Sequence, residues 1–140
     1  MAEGCLSKTL NDSGINDVIV ISAGTRAVSG FKPTEETIQV ARENGLDVSG
    51  YVSSKLSREH IEKADVILVM AKMHEDAILE MMPAAKSKIR FLREFSSESS
   101  ANDKKKNSIA DPIGMPISFY REIFEIIKNS VEGFKKWLKK

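Results

Sequence analysis

The sequence predicts a single α/β domain with a mainly parallel sheet flanked by helices on both faces, and three observations lead there. Three short apolar runs stand out: Val18-Ile19-Val20-Ile21, Val66-Ile67-Leu68-Val69-Met70 and Ile89-Arg90-Phe91-Leu92. The first two are continuous rather than alternating, which suits strands covered on both faces. Between the runs lie segments of helical periodicity, and this alternation of strand and helix gives a parallel sheet with right-handed crossovers. A chain of 140 residues with 41% hydrophobic content fits one compact domain with one core.

The elements come in this order. MAEGCLSKTL reads as the first turns of a helix, with Ala2, Leu6 and Leu10 at i, i+4 and i+8 and Glu3 at the dipole's positive end. A second helix opens at Pro33-Thr34-Glu35-Glu36, runs through Ile38 and Val40-Ala41, and stops at Asn44-Gly45. Ser57-Arg58-Glu59-His60 starts a third, and Lys72 to Met82 forms a fourth, closed by Pro83. The last helix is the longest. Phe119, Tyr120, Ile123, Phe124, Ile127, Val131, Phe134 and Leu138 make one stripe for packing on the sheet. Its final turns carry Lys135, Lys136, Lys139 and Lys140, suited to the negative end of a helix. That basic, Trp137-bearing end would also suit a membrane surface, a reading placed behind core packing.

Charge and cysteine usage narrow the function classes. Lys and Arg number 21 against 20 Asp and Glu, a net charge of +1, so no overall field calls for nucleic acid or an anionic membrane. One cysteine excludes an internal disulfide framework, and two histidines with one cysteine are too few for a metal site built from those ligands. These features fit a reducing cytosol, and no metal or cofactor is expected. No apolar run approaches the roughly 18 residues of a membrane span, and no export signal opens the chain.

Parallel sheets hold ligands at the carboxyl ends of their strands. Ser22-Ala23-Gly24-Thr25, Ala71-Lys72 and the long stretch after Phe95 are therefore the segments of interest. Ser96 to Ser108 is polar and reads as a solvated surface insertion. Ile109 and the Asp111-Pro112-Ile113-Gly114 turn read as ordered, because proline restricts both itself and the aspartate before it. Asp111 is thus a candidate general acid, with a plain turn as the alternative. Cys5 would need an arginine six positions on to act as a phosphate-gripping nucleophile, and position 11 is Asn11; Cys5 is expected to be a core or half-buried residue. His60 and His74 read as ordinary helix residues. Ser22 and Thr25 either offer hydroxyls to a phosphate or shape a turn with Gly24.

Taken in order, MAEG, VISAGT, ENGLDVSGY, ADVILVM and ADPIG resemble the low-molecular-weight protein-tyrosine phosphatase family, over nearly the whole chain. In that family a first strand leads to a phosphate-binding loop (Cys, five residues, Arg, Ser or Thr, Pro) that continues Met-Ala-Glu. Met1-Ala2-Glu3 matches this continuation, so the resemblance implies that residues 1–140 form an N-terminally truncated domain of this family. The absent first strand would be central, between Val18–Ile21 and Val66–Met70. Losing its four or so aliphatics would forfeit roughly 6 to 12 kcal/mol, so an unstable or aggregation-prone chain is expected.

By the same resemblance, a thiolate absent from this chain would attack phosphorus, and Asp111 would be general acid and then base. Ser22 would support the loop's hydrogen bonds, and Pro112 and Ile113 would stand beside the substrate. Substrates would be phosphorylated proteins, on tyrosine or, in one branch, arginine, or small phosphoesters. Gly50 replaces a histidine common in the family, and Ile113-Gly114 replaces aromatics that often wall a tyrosine ring, which leaves room for the arginine-directed branch. An arsenate reductase would need cysteines after Cys5, and there are none. The alternative is a non-catalytic relic or phosphoprotein-binding module of the same fold.

Overall fold

The computed structural model describes residues 1–25, 29–97 and 107–139. In chain order its elements are α1 (Ala2–Asp12), α2 (Glu35–Glu43), α3 (Arg58–Lys63), β1 (Ile67–Val69), α4 (Lys72–Met81), a 3-10 turn at Pro83–Lys88, β2 (Ile89–Phe91), a second 3-10 turn at Leu92–Phe95, and α5 (Ile117–Leu138). β1 and β2 pair in parallel, with Ile67 opposite Ile89 and Val69 opposite Phe91.

Why β1 is apolar on both sides is visible in how its residues divide. Val66, Leu68 and Met70 pack on a core formed by α1, α2 and α5, which includes Leu10, Val40, Phe124 and Val131. Ile67 and Val69 face the opposite way, into a second cluster with Ile61 of α3, Ile78 of α4, Ile89 and Phe91. Alternate side chains of an extended backbone point to opposite faces, so a doubly covered strand must be apolar at every position. The expected layering, helices on both faces of a parallel sheet, results from this.

Helix boundaries match local chemistry. Thr34 caps α2, its hydroxyl accepting the Thr37 N–H. Ser57 and His60 close a reciprocal box at the start of α3. α5 buries Tyr120, Ile123, Phe124, Ile127, Val131 and Phe134 along one stripe, as its periodicity requires. Cys5, Leu6 and Leu10 of α1 are buried against it.

One expected strand is corrected by the structure. Val18–Ile21 joins no ladder among the described residues; Ile19 is 92% and Ile21 60% exposed, while Val20 packs on the core. A strand exists only through its neighbours, and among the described residues the ladder ends at β1. Pairing begins only farther along, where Gly24 forms a parallel bridge with Lys55 and its N–H donates to the Ser54 carbonyl at 2.8 Å. The surface insertion expected over Ser96–Ser108 lies for the most part outside the described residues.

Candidate active site

The chain leaves β1 at Met70 and enters α4, so Met70 marks the carboxyl end of the sheet. The Ile109 N–H donates to the Met70 carbonyl at 2.6 Å. One hydrogen bond therefore brings the loop containing Asp111 onto the edge where a parallel sheet holds ligands. Arg93 adds a second anchor, its guanidinium donating to the Ser108 carbonyl at 2.8 Å. Asn107 and Ile109 are buried at 3% and 4% exposure. Beyond them the chain turns outward.

Asp111 is exposed and holds its own turn: Oδ1 accepts the Ile113 N–H at 3.1 Å. This Asx turn uses one carboxylate oxygen and leaves Oδ2 to other partners. The Met115 N–H closes the next turn onto the Pro112 carbonyl at 2.9 Å, with Gly114 at φ +84°, a conformation that favours glycine. Ile113 and Met115 of the same turn are exposed, at 68% and 47%. The arrangement is a carboxyl group on a pinned loop, open to solvent, with exposed apolar residues two and four positions on.

The other sequence candidates fall in different places. Ser22 is exposed on the segment after Ile21, and no hydrogen bond joins it to Asp111 among the described residues. Pro112 is half-buried within the turn. Cys5 lies in the second turn of α1 at 5% exposure; burial pushes its thiol pKa up, against a smaller opposing effect of its hydrogen bond with Thr9. A buried, raised thiol is inert. His74 is the residue that sequence reasoning misses: its Nδ1 accepts the Met70 N–H at 3.3 Å, and Asp111 is close enough to raise its pKa against the larger lowering by burial. The available signal is its place three residues after the Ala71 N-cap, the position of the acceptor in a capping box. Among the described residues no three His, Cys, Asp or Glu side chains gather as a metal site would require, and no helix is long and apolar enough to cross a membrane.

The family of low molecular weight phosphotyrosine protein phosphatases matches residues 1–140. The chain belongs to this family. It is 36% identical to a protein-arginine-phosphatase of Geobacillus stearothermophilus over 112 residues, 80% of this chain and 71% of that protein. Among solved structures, the YwlE arginine phosphatase of Geobacillus stearothermophilus superposes with a TM-score of 0.83 at 30% identity, covering 99% of this chain and 82% of that one. A cysteine-to-serine mutant of YwlE arginine phosphatase with a phosphorylated active site serine superposes with a TM-score of 0.87 at 27% identity, covering 99% and 86%. The α/β fold is that of the low molecular weight phosphatases, and the family is one of phosphoric monoester hydrolases.

Proposed function

We propose that this protein is a phosphatase of phosphotyrosine or phosphoarginine in proteins, working through a cysteinyl-phosphate intermediate with Asp111 as general acid and then general base. The observation that carries the reading is the pinned and exposed Asp111, held at the carboxyl end of β1 through Ile109 and Met70. In the first step a thiolate bonds to phosphorus, the bond from phosphorus to the leaving oxygen or nitrogen breaks, and Asp111 gives that atom its proton. In the second, Asp111 takes a proton from the attacking water, the sulfur to phosphorus bond breaks, and inorganic phosphate leaves. The mutant YwlE arginine phosphatase, phosphorylated on the active site serine that replaces a cysteine, supports a covalent intermediate in a relative.

Pro112 restricts the turn that aims the acid, Ile113 borders the substrate side chain, and Ser22 supports the phosphate-binding loop. On this reading residues 1–140 are the domain without its first, central strand, consistent with exposed Ile19 and Ile21. They hold neither the nucleophile nor its arginine, since Cys5 is buried and position 11 is Asn11. The 140-residue chain is therefore expected to be inactive by itself. The alternative on the same fold is a phosphoprotein-binding relic, which the codons upstream of Met1 decide. A reducing cytosol suits the single free thiol.

Hydrolysis of p-nitrophenyl phosphate tests the first reading in three proteins: the 140-residue chain, the chain extended through in-frame codons upstream of Met1, and that extension carrying Asp111→Asn. The expected results are no turnover, turnover, and turnover reduced by about 10²- to 10⁴-fold. Undiminished turnover in the asparagine variant removes Asp111 from its role. An upstream stop codon with no alternative start favours the relic.

A further inference from the structure

Both histidines stand at the third position of a helix and turn Nδ1 onto a backbone N–H just ahead of it. At α3 this closes a box with Ser57, whose N–H donates to His60 at 3.1 Å. At α4 the N-cap is Ala71, which has no side-chain oxygen to offer, and His74 reaches past it to Met70. The difference in partner matters. Met70 is the residue whose carbonyl accepts the Ile109 N–H, two residues ahead of Asp111. The two ends of Met70 thus connect the imidazole to the Asp111 loop.

We propose that His74 is a positioning residue for Asp111: its neutral ring fixes the backbone of Met70, on which the Asp111 loop rests. The proposal builds on the reading of Asp111 as the acid. With Nδ1 accepting a hydrogen bond, the proton of the neutral ring must sit on Nε2. Half-burial favours this neutral form and pushes the pKa down, and the Asp111 carboxylate partly opposes it. Other charges nearby are engaged elsewhere. On α4, Lys72 pairs with Asp76 at 2.9 Å and Glu75 is buried, with interactions of its own. From the 3-10 turn packed on α4, Lys88 donates to the carbonyls of Ile61 and Glu62. Protonating Nδ1 would set two donors against each other and release Met70, so the loop should loosen in acid as His74 titrates.

The test is nuclear magnetic resonance on the full 140-residue chain, following the Met70 and Ile109 amides and the His74 ring nitrogens. In the unaltered protein the Ile109 amide shift should follow the His74 midpoint, which lies below the ordinary 6.5. Asp111→Asn should lower that midpoint further. His74→Leu should speed exchange of both amides by about tenfold or more. His74→Asn, whose Oδ1 can take the place of Nδ1, should restore most of the protection. His60→Leu, which removes the equivalent bond at α3, should leave Ile109 unchanged.

An Ile109 amide indifferent to the His74 titration would overturn the proposal, and so would asparagine failing to rescue or His60→Leu matching His74→Leu. If the leucine variant does not fold, the titration of the unaltered protein decides. None of these readouts uses turnover, so the two ideas fail separately. Absent coupling beside a crippled Asp111→Asn enzyme refutes only the positioning role; intact coupling beside undiminished turnover refutes only the acid.

Discussion

Replacing Gly133 by alanine should destabilise the protein although alanine is the better helix former. Gly133 lies in α5 where the Leu92–Phe95 turn crosses it, and a Cβ built there overlaps the Phe95 carbonyl oxygen and meets its carbon at 2.7 Å. An ordinary contact of about 3.4 Å requires the two backbones to part. No side-chain rotation can relieve a clash with backbone, so the turn must move. Moving it disturbs Phe95, whose ring lies 5.2 Å from Phe134 and 5.5 Å from Trp137, with the Arg90 guanidinium 5.2 Å from its centre. Overpacking costs about 1–3 kcal/mol, and each weakened aromatic pair adds up to about 1 kcal/mol. Alanine's helix propensity returns about 1 kcal/mol. Because the clash is with backbone, the upper end of the overpacking range applies, and the net expectation is a loss of about 2–4 kcal/mol, or a Tm lower by about 6–16 °C in a domain of this size. Urea and thermal melts followed by the single tryptophan, Trp137, measure it directly. Propensity alone predicts the opposite sign, so a Gly133→Ala protein as stable as its parent would refute the packing account.

Two further outcomes concern the surface. Glu43 is held below its ordinary pKa chiefly by its hydrogen bond to Arg121, a bidentate contact at 3.0 and 2.9 Å. A depressed carboxylate stabilises the fold above its unfolded value and loses that contribution as pH falls through its folded value. The stability difference between the parent and Glu43→Gln should thus be present at neutral pH, begin to shrink as pH drops below about 4.5 and vanish once pH has passed the lower folded value; a difference unchanged at pH 3 contradicts it. Ile19→Lys should lower self-association measured by sedimentation, because an exposed apolar segment without a ladder is a template for pairing between chains. A parent protein that sediments as a monomer at high concentration would count against this.

Much of the fold was legible because periodicity and capping are local. Ser57 with His60, Thr34 ahead of two glutamates, and the apolar stripe of α5 each carry their signal within a few residues. Val18–Ile21 and Val66–Met70, by contrast, are equally apolar runs with opposite outcomes. Nothing inside either run distinguishes them, because a ladder depends on which backbone lies alongside, and that is a property of the whole sheet. The ordered turn at Asp111 could be read through the stiffness Pro112 imposes. Its anchors could not, since Arg93 to Ser108 and Ile109 to Met70 are contacts between a side chain or N–H and a distant carbonyl. Backbone carbonyls leave no trace in sequence. His74 escaped for a different reason: Ala71 offers no side-chain oxygen, so only half of the capping box that marks α3 is present at α4.

These anchors also determine which parts of the molecule the placement of Asp111 depends on. The Asp111 loop is tied to β1 through Met70 and to the second 3-10 turn through Arg93, and that turn is packed on α5. None of these ties passes through Val18–Ile21, so the geometry around Asp111 should survive changes to the exposed edge and fail with changes to the turn. Arg93→Met removes a charged donor from the buried approach to the loop, a loss of about 1.5–3 kcal/mol, and should speed exchange at the Ile109 amide. Ile19→Lys should leave that amide as protected as in the parent. Equal effects of the two substitutions on Ile109 would mean that the loop reports only global stability. Separate effects would mean that the half of the site bearing the carboxyl is assembled independently of the edge beside β1.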